Sequence, residues 1–302
     1  MIRPSFFCLF VFVGISFAFD KEAFLSKCTS GHDLDSEDFE NCLQCVDIEL
    51  SDKDLEEFKS QSLNISNEEC IVFDDGDLNI VSGDFLKQFP GAKIIVFQGG
   101  RFKLSTSTEN DGNESLQNIR IEHSQILGSE VVGAFDDLSN LTTLTLEKVR
   151  FESVNMKDGL KIILENLTSL KAVTICGPLE EFPLGIPSTI EEITICDYQF
   201  DRVTRDNLDK FKDLKVLSIY TGNLKTLDEN AFDDLEKLEE LDLEYNLLEK
   251  FQVRHLLNNK NIKRVALDPV EHADLTEIGL WETSRTGYFV KEEEVEDYND
   301  SY

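Results

Sequence analysis

The sequence is short of positive charge. Among its 302 residues, 29 Lys and Arg stand against 60 Asp and Glu, which gives a formal net charge of −31. Nucleic acids and anionic lipid surfaces attract basic faces, because their phosphate groups are negative. We therefore expect neither as a partner. Two interpretations of the acidity stay open: attraction of a basic partner or calcium, and a contribution to solubility alone.

Long apolar runs are scarce as well. Only FFCLFVFVGISFAF at residues 6–19 stands out, and it is short for a membrane span. It follows Arg3 and contains the small-x-small cleavage pattern SFA at 16–18. Residues 1–18 are therefore expected to be a secretory signal peptide, with an uncleaved anchor as the alternative. The mature chain is expected to be secreted and extracellular, without membrane insertion.

The motifs of catalysis are missing. The chain has 4 histidines, and they form no Ser-His-Asp signature and no cluster with metal-ligand spacing. A glycine-rich phosphate loop is absent too. Pairs of carboxylates are frequent, but an acidic composition produces them without any catalytic requirement. We expect no enzymatic activity, no cofactor and no bound metal.

Cysteines and sequons agree with export. Cys8 would leave with the signal peptide, and an even number of remaining cysteines in an exported chain is typical of disulfide bonding. Those cysteines are Cys28, Cys42, Cys45, Cys70, Cys176 and Cys196. The N-x-[ST] sequons, which are glycosylation candidates in an exported protein, are Asn64, Asn113, Asn140, Asn166 and Asn299.

One spacing of apolar residues recurs along the chain. In LEELDLEYNLLEK, residues 238–250, leucines stand at the first, fourth and sixth places, followed by Asn246 and Leu248. The spacing is too close to alternation for a helix and too irregular for a lone strand. The same pattern returns with a dominant period of 24 residues, in units that begin at Ala92, Leu116, Leu141, Leu170, Ile190, Leu214, Leu238 and Ile262.

These units resemble the leucine-rich repeat family, whose consensus is LxxLxLxxNxL, over roughly residues 70–270. The second halves LDENAFDDLEKLEEL and VVGAFDDLSNLTTL resemble its typical extracellular subclass, and the whole looks like secreted arthropod members. The resemblance implies an α/β solenoid, a horseshoe of about eight repeats with short parallel strands on the concave face. One unit cannot bury its own apolar face, whereas a stack can. In this family the concave face commonly binds a protein partner.

The units depart from the consensus in two ways. The asparagine occurs only at Asn246, and other residues stand at the equivalent places, which predicts an uneven curvature: Gly100, Ser124, Val149, Pro178, Tyr198 and Gly222. The unit lengths also vary. The long unit contains VNMKDGLKIILENL at 154–167, which predicts a helix on the convex side. The short one contains GPLEEFPLGIPS at 177–188, which predicts a tight extended return.

Both ends of a solenoid need covering. Residues 19–70 hold four of the cysteines and are expected to form a disulfide-stapled N-terminal cap, with all three pairings open. The repeats follow at 71–270, and a C-terminal cap at 271–290 is expected to use Trp281 as its plug.

The last segment, 291–302, is strongly acidic and is expected to be disordered. Within it, Tyr298 follows Glu-Asp and is a sulfation candidate. A plain solubilising tail is the alternative.

Cys176 and Cys196 each end the sequence TIC, directly after the second apolar residue of a predicted strand. The repeat register places both on the concave face of neighbouring strands. Such strands lie about 4.8 Å apart, which a disulfide accommodates. We expect a disulfide across the two strands, with two free thiols as the alternative.

The residues between the leucines are the ones that a partner would meet. Near the C-terminal end they include acidic side chains and tyrosines, and tyrosines are frequent anchors of protein interfaces. The candidate binding residues are Tyr220, Asp242, Glu244 and Tyr245, and flanking carboxylates are expected to extend an acidic patch: Glu191, Glu192, Glu239 and Glu240.

The sequence therefore predicts a secreted, non-enzymatic module that recognises an extracellular protein partner through its concave face. Innate immunity and extracellular signalling are the expected settings, and the acidity would favour a basic partner. The alternatives are a secreted inhibitor, as in saliva or venom, and an acidic protein of the extracellular matrix or of adhesion.

Overall fold

The computed structural model describes residues 21–30, 42–50, 68–104, 113–127, 135–136, 138–164, 166–268, 275–282 and 288–291. Several predictions lie outside these residues, namely the signal peptide, the sequons at Asn64 and Asn299, the sulfation candidate Tyr298 and the tail from 292 onward. Within the described ranges, no helix has both the length and the apolarity needed to cross a membrane.

Short strands make up most of the described structure. In chain order they are β1 (Cys28–Ser30), β2 (Leu43–Val46), β3 (Glu49–Leu50), β4 (Cys70–Asp74), β5 (Asp77–Val81), β6 (Ile94–Gln98), β7 (Arg101–Leu104), β8 (Asn118–Glu122), β9 (Gln125–Leu127), β10 (Thr143–Glu147), β11 (Arg150–Phe151), β12 (Ala172–Cys176), β13 (Glu192–Cys196), β14 (Arg202–Val203), β15 (Val216–Tyr220), β16 (Thr226–Leu227), β17 (Glu240–Asp242), β18 (Arg264–Ala266), β19 (Leu280–Glu282) and β20 (Tyr288–Lys291).

Helices are few and short in the described ranges. The α-helices are α1 (Lys21–Ser26), α2 (Gly83–Leu86), α3 (Met156–Leu164) and α4 (Arg205–Leu208), and two 3₁₀ turns cover Val253–Leu256 and Thr276–Ile278. The predicted convex helix is confirmed as α3, which buries its apolar side, including Leu160 and Ile163, against the core. The stretch 177–188, which was predicted to form a tight extended return, contains bends and turns and neither helix nor strand.

A 13-stranded sheet dominates the fold, in the order β1-β2-β4-β6-β8-β10-β12-β13-β15-β17-β18-β20-β19. From β2 to β18 each strand pairs in parallel with the next. A second parallel sheet, β11-β9-β7-β5-β3, follows the first after each turn. The expected solenoid of parallel strands is confirmed.

The strand sequences explain this stack. In β13 the inward residues Ile193 and Ile195 are fully buried, whereas Thr194 between them faces the other side of the sheet. Alternating side chains point to opposite faces of a strand. Ile193 pairs with Leu217 of the next unit, so the apolar residues of successive units stack into one continuous core.

Most strands from β2 to β17 of the 13-stranded sheet are followed by a turn in the left-handed region of the backbone. Positive φ angles recur at Asp47, Asp75, Gly99, His123, Lys148, Asp197, Thr221 and Tyr245. From Asp47 to Thr221 in that series, the N–H group of the left-handed residue donates to a carbonyl of the next unit, as from Asp197 to Thr221. The turn therefore satisfies backbone groups that the end of the strand would otherwise leave free.

The asparagine position works as expected where Asn is present. Asn246 Nδ2 donates to the carbonyl oxygens of Ile219 at 2.6 Å and of Leu243 at 2.9 Å. Ser124 performs a similar task with its hydroxyl, which donates to the Gly99 carbonyl at 2.6 Å.

Tyr198 occupies the asparagine position of its own unit and stabilises the neighbouring turns with its ring and its hydroxyl. Its ring lies where a Cβ on Gly222 would come within 2.4 Å, so only glycine fits there. Its hydroxyl reaches past that unit and donates to Asn246 Oδ1. Three successive turns are therefore held together by one ring, one glycine and one asparagine.

The N-terminal end differs from the prediction in its boundary. Strand β1 is antiparallel to β2, and the disulfides are Cys28–Cys45 and Cys42–Cys70, which selects one of the three pairings. Strand β2 already pairs in parallel with β4. The parallel stack thus begins inside the segment that was expected to be only a cap. The prediction missed this strand because its sequence departs from the repeat.

The C-terminal end also corrects the prediction. Strands β20 and β19 continue the sheet in antiparallel fashion beyond β18. Leu275, Leu280 and Phe289 are buried there, whereas Trp281 is 45% exposed. The prediction that Trp281 plugs the core is therefore wrong. Lys291 is a strand residue of β20, so the tail does not begin at 291.

One sequon is contradicted by the packing. Asn113 is buried, and its Nδ2 donates to the carbonyl oxygens of Leu86 at 3.1 Å and of Phe89 at 2.7 Å. A glycan would have to be attached to that same nitrogen, so Asn113 is a structural residue. Asn259 makes the equivalent pair of bonds. Asn140 and Asn166 are exposed and stay candidates.

Candidate functional site on the concave sheet

The four predicted site residues lie at the C-terminal end of the concave sheet. Tyr220 ends β15, Asp242 ends β17, and Glu244 and Tyr245 follow directly in the turn after β17. The structure adds a neighbour that the repeat pattern did not reveal, the hairpin strand β20. Residue Tyr288 of that strand pairs with Ala266 of β18, which brings the hairpin beside the predicted site.

A cavity of about 230 Å³ opens between these strands. We call it the concave cavity. Its lining comes from β15, β17, β18 and β20, and consists of Val216, Ser218, Glu240, Leu241, Asp242, Arg264, Val265, Ala266, Tyr288, Phe289 and Val290. Of the four predicted residues, only Asp242 lines it.

Asp242 is the polar centre of the concave cavity. Its Oδ1 accepts a hydrogen bond from the Glu244 backbone N–H at 2.9 Å. Burial raises the pKa of this carboxyl, the hydrogen bond opposes the rise, and the negative charge of Asp268 adds to it. Among the described residues Asp242 has no ion-pair partner. It is therefore a half-buried carboxylate without a counter-charge.

Glu244 has a different role. It accepts a hydrogen bond from the Tyr288 hydroxyl, between residues 44 apart in the chain. This bond fastens the hairpin to the last full repeat. The sequence reasoning missed Tyr288 because an antiparallel hairpin has no repeat period. The only signal was the short apolar stretch YFV at 288–290, rich in residues that favour strands.

Tyr220 lies in the same row as the predicted disulfide. Cys176 pairs in register with Cys196, and Cys196 with Tyr220. The disulfide is confirmed, with a Cα–Cα distance of 4.4 Å. Burial raises the pKa of Tyr220, and so do the charges of Asp242 and Glu147. The tyrosine is thus partly buried among carboxylates, on the strand next to the disulfide-linked pair β12 and β13.

Tyr245 is an exposed residue in the turn that follows β17. Its side chain is 69% exposed, and its φ of 55° places it in the left-handed turn. Leu247 beside it is 54% exposed. These two side chains are thus exposed apolar groups that follow β17 and do not line the concave cavity.

The expected acidic patch is smaller than the sequence suggested. Just before the strands runs a row that we call the entry ladder, formed by Lys171, Glu191, Lys215, Glu239 and Lys263. Their backbone groups are hydrogen-bonded from unit to unit, as from Lys215 N to Glu191 O at 2.7 Å.

Charges alternate along the entry ladder. Glu191 bridges Lys171 at 3.0 Å and Lys215 at 2.6 Å, and Glu239 bridges Lys263 at 2.6 Å. Hydrogen bonds from Lys215 and Lys171 lower the pKa of Glu191 to about 2. The prediction that Glu191 and Glu239 extend an acidic patch is therefore wrong, because lysines neutralise them.

Metal binding finds no support in the parts of the chain that are described, where no group of three or more His, Cys, Asp or Glu side chains is arranged to hold an ion. The polar lining of the concave cavity consists of two carboxylates (Glu240 and Asp242), the hydroxyls of Ser218 and Tyr288 and the guanidinium of Arg264. Such an arrangement binds by shape and charge.

Comparisons with known proteins agree with this architecture. A model of the leucine rich repeat family matches residues 188–248, which contain β13, β15 and β17.

Three solved structures resemble the chain. In the TLR13–ssRNA13 complex, the similarity reaches a TM-score of 0.57 at 16% identity, over 73% of this chain and 31% of the other. The Toll–Spatzle complex of Drosophila gives 0.53 at 13% identity, over 76% and 31%. The mouse RP105/MD-1 complex gives 0.50 at 14% identity, over 78% and 44%.

This chain therefore spans less than half the length of those solved chains. At these identities the similarity concerns the fold. Together with the parallel sheet, the 24-residue period and the family match at residues 188–248, it shows that the chain has the solenoid fold of leucine-rich repeats.

Proposed function

We propose that this protein is a secreted, non-enzymatic module that binds another extracellular protein through the C-terminal end of its concave sheet. The observation that carries the proposal is the concave cavity beside Tyr220, with an unpaired carboxylate at its centre. The strands around it are hydrogen-bonded in register, and the Cys176–Cys196 disulfide joins the two preceding strands of the same sheet, β12 and β13. A pre-ordered surface of this kind loses little entropy on binding.

The structural neighbours support a recognition role. The Toll–Spatzle and RP105/MD-1 structures are complexes, and the first is a molecular hub in Drosophila development and innate immunity. Innate immunity and extracellular signalling are therefore the settings that we propose. Because this chain matches less than half of those proteins, their partners are not transferred to it.

We favour a protein partner over RNA, although one neighbour is a complex with single-stranded RNA. Single-stranded nucleic acid needs a positively charged groove. In the described concave strands, Arg120 is bridged to Glu122 at 2.7 Å and Arg264 lies 3.9 Å from Glu240. The net charge of −31 would repel a phosphate backbone.

Capture from extracellular fluid tests the proposal. Ser218 lines the concave cavity, so Ser218→Arg would fill it with a bulky side chain. Ser153, in the exposed segment before the convex helix α3, provides the matched control Ser153→Arg. Wild type and Ser153→Arg should capture one saturable protein, and Ser218→Arg should capture none. Equal capture by all three proteins would reject the concave surface as the site.

Export is a separate part of the proposal and has its own measurement. Expression of the full chain in a secreting eukaryotic cell should give a medium-borne protein that begins at Phe19, after the signal peptide. Glycopeptide mass spectrometry should find glycans at Asn140 or Asn166, both exposed, and none at buried Asn113. Retention of the chain inside the cell would contradict secretion.

A further inference from the structure

We propose that the concave cavity holds one basic side chain, a lysine or an arginine, of the bound protein, with Asp242 as its counter-ion. The proposal rests on the function proposed above and gives it a specific chemistry. It concerns the residues around the cavity, not the overall acidity of the chain.

The size of the concave cavity suits one side chain. Pockets for drug-sized ligands usually measure about 300–1,000 Å³, whereas this one measures about 230 Å³. It opens on the concave face between β15, β17, β18 and β20, where a folded partner would lie over it. A single long side chain projecting from that partner would reach the floor.

The lining matches the two parts of a long basic side chain. Val216, Ala266 and Val290 provide apolar walls, which suit the methylene stem of lysine or arginine. Tyr288 adds an aromatic wall, and cations are attracted to aromatic rings. Ser218 contributes a hydroxyl that accepts a hydrogen bond from an ammonium or guanidinium group.

The charges around the concave cavity select a cation. Glu244 is engaged by the Tyr288 hydroxyl, and Glu240 lies 3.9 Å from Arg264. Asp242 has no counter-charge among the described residues, and Asp268 adds a further negative charge nearby. A neutral or acidic side chain would leave Asp242 buried and unpaired, whereas a basic one would pair with it.

The titration of Asp242 agrees with this assignment. Burial raises the pKa of its carboxyl, which means that the ionised form is disfavoured in the unbound protein. A cation in the cavity would reverse that shift, since a nearby opposite charge favours the ionised carboxylate. The ionised carboxylate of Asp242 is therefore stabilised only when a basic side chain occupies the cavity.

Short peptides provide the test, with methyl NMR spectra of the intact protein as the readout. The probes are acetyl-Gly-X-Gly-amide with X as arginine, lysine, norleucine or citrulline. Arginine and lysine peptides should shift the methyl signals of Val216 and Val290 with dissociation constants on the order of 1 mM, the range of a single anchored side chain. Norleucine and citrulline, which lack the charge, should bind at least about tenfold more weakly.

Asp242→Asn keeps the shape of the side chain and removes its charge. It should weaken the arginine and lysine peptides at least about tenfold, the usual scale for losing a buried charge partner. The matched control is Asp197→Asn at an exposed turn outside the cavity, where asparagine tolerates the left-handed backbone. This variant should bind the peptides as wild type does.

The outcomes separate this inference from the proposed function. Equal shifts with norleucine, or wild-type binding by Asp242→Asn, or no shift at all with the basic peptides, would overturn the basic-side-chain proposal. The proposed function is tested separately, by whether Ser218→Arg loses the partner that wild type captures. A captured partner that is lost with Ser218→Arg and kept with Asp242→Asn would overturn the inference alone.

Discussion

The entry ladder and the concave cavity both contain carboxylates, but the carboxylates of the ladder are paired with lysines, whereas Asp242 of the cavity has no cationic partner among the described residues. Glu191 lies between two lysines, which hold its pKa near 2. Asp242 is half-buried without a cation, and burial raises its pKa. In the entry ladder the carboxylate is neutralised by lysines of the same protein. In the concave cavity the carboxylate of Asp242 remains available to a cation of a partner. The net charge of the chain does not distinguish them, but the pairing of each carboxylate does.

The largest effect that we expect from this comparison is on binding of the captured partner. Asp242→Asn should weaken that binding at least about 30-fold, since removal of one member of a buried charge pair costs about 2 kcal/mol or more. The matched ladder variant is Glu239→Gln, since Glu239 forms an ion pair with Lys263 within the described part of the ladder. Titration calorimetry should find its affinity unchanged. Equal losses in the two variants would mean that general acidity attracts the partner.

The second effect that we expect is a loss of stability when the turn after β17, which lies beside the concave cavity and outside the entry ladder, is disrupted. Asn246→Ala removes the hydrogen bonds to the carbonyls of Ile219 and Leu243, and we expect a loss of about 2–4 kcal/mol in the free energy of unfolding. Asn261, exposed and bonded to the Glu236 carbonyl, gives the control Asn261→Ala, with a loss below about 0.5 kcal/mol. Denaturant melts compare both, and equal losses would contradict the role of Asn246.

Stability should respond to Asp242→Asn in the opposite direction from binding. Because the folded pKa of Asp242 is raised, its ionisation destabilises the fold as pH rises through that value. The variant should therefore melt roughly 1–3 °C higher at pH 7. At pH 3, where the aspartate is protonated in both states, the difference should disappear. A lower melting temperature of the variant at pH 7 would show that Asp242 stabilises the fold.

The smallest effect is expected at the entry ladder. Lys215→Gln leaves Glu191 with Lys171 alone, and because both groups are exposed to solvent the melting temperature should fall by roughly 1 °C. The depressed pKa of Glu191 stabilises the fold above its ordinary value of 4.5 and stops doing so as pH falls toward 2. The difference between the proteins should shrink over that range and in high salt. A difference that persists in both conditions would point to packing.

Much of the fold was predictable because the repeat is a local pattern. Each unit carries its own two inward residues, such as Ile193 and Ile195, and the stack follows from repetition. The helix α3 and the Cys176–Cys196 disulfide were predictable for the same reason, since both depend on spacing within one or two neighbouring units. The site was predicted less well. Asp242 and Tyr220 were found as outward residues of the repeat, whereas Tyr288 lay outside the pattern.

The errors came where chain segments that are distant in sequence meet. Asn113 looked like a glycosylation site until its amide was found against two carbonyls of the preceding unit. Trp281 looked like a plug, but Phe289 and Leu280 fill the end of the core instead. Glu191 and Glu239 looked like part of an acidic surface, and lysines from neighbouring units neutralise them.

The sequence by itself determined the period, the alternation of inward and outward residues and the cysteines that could pair across strands. These follow from the geometry of a strand, which acts over a few residues. Only the tertiary structure decided which outward charges are neutralised, and where antiparallel β20 closes against β18 to form the cavity. Those outcomes depend on distances between units, and an electrostatic interaction is set by distance and burial rather than by composition.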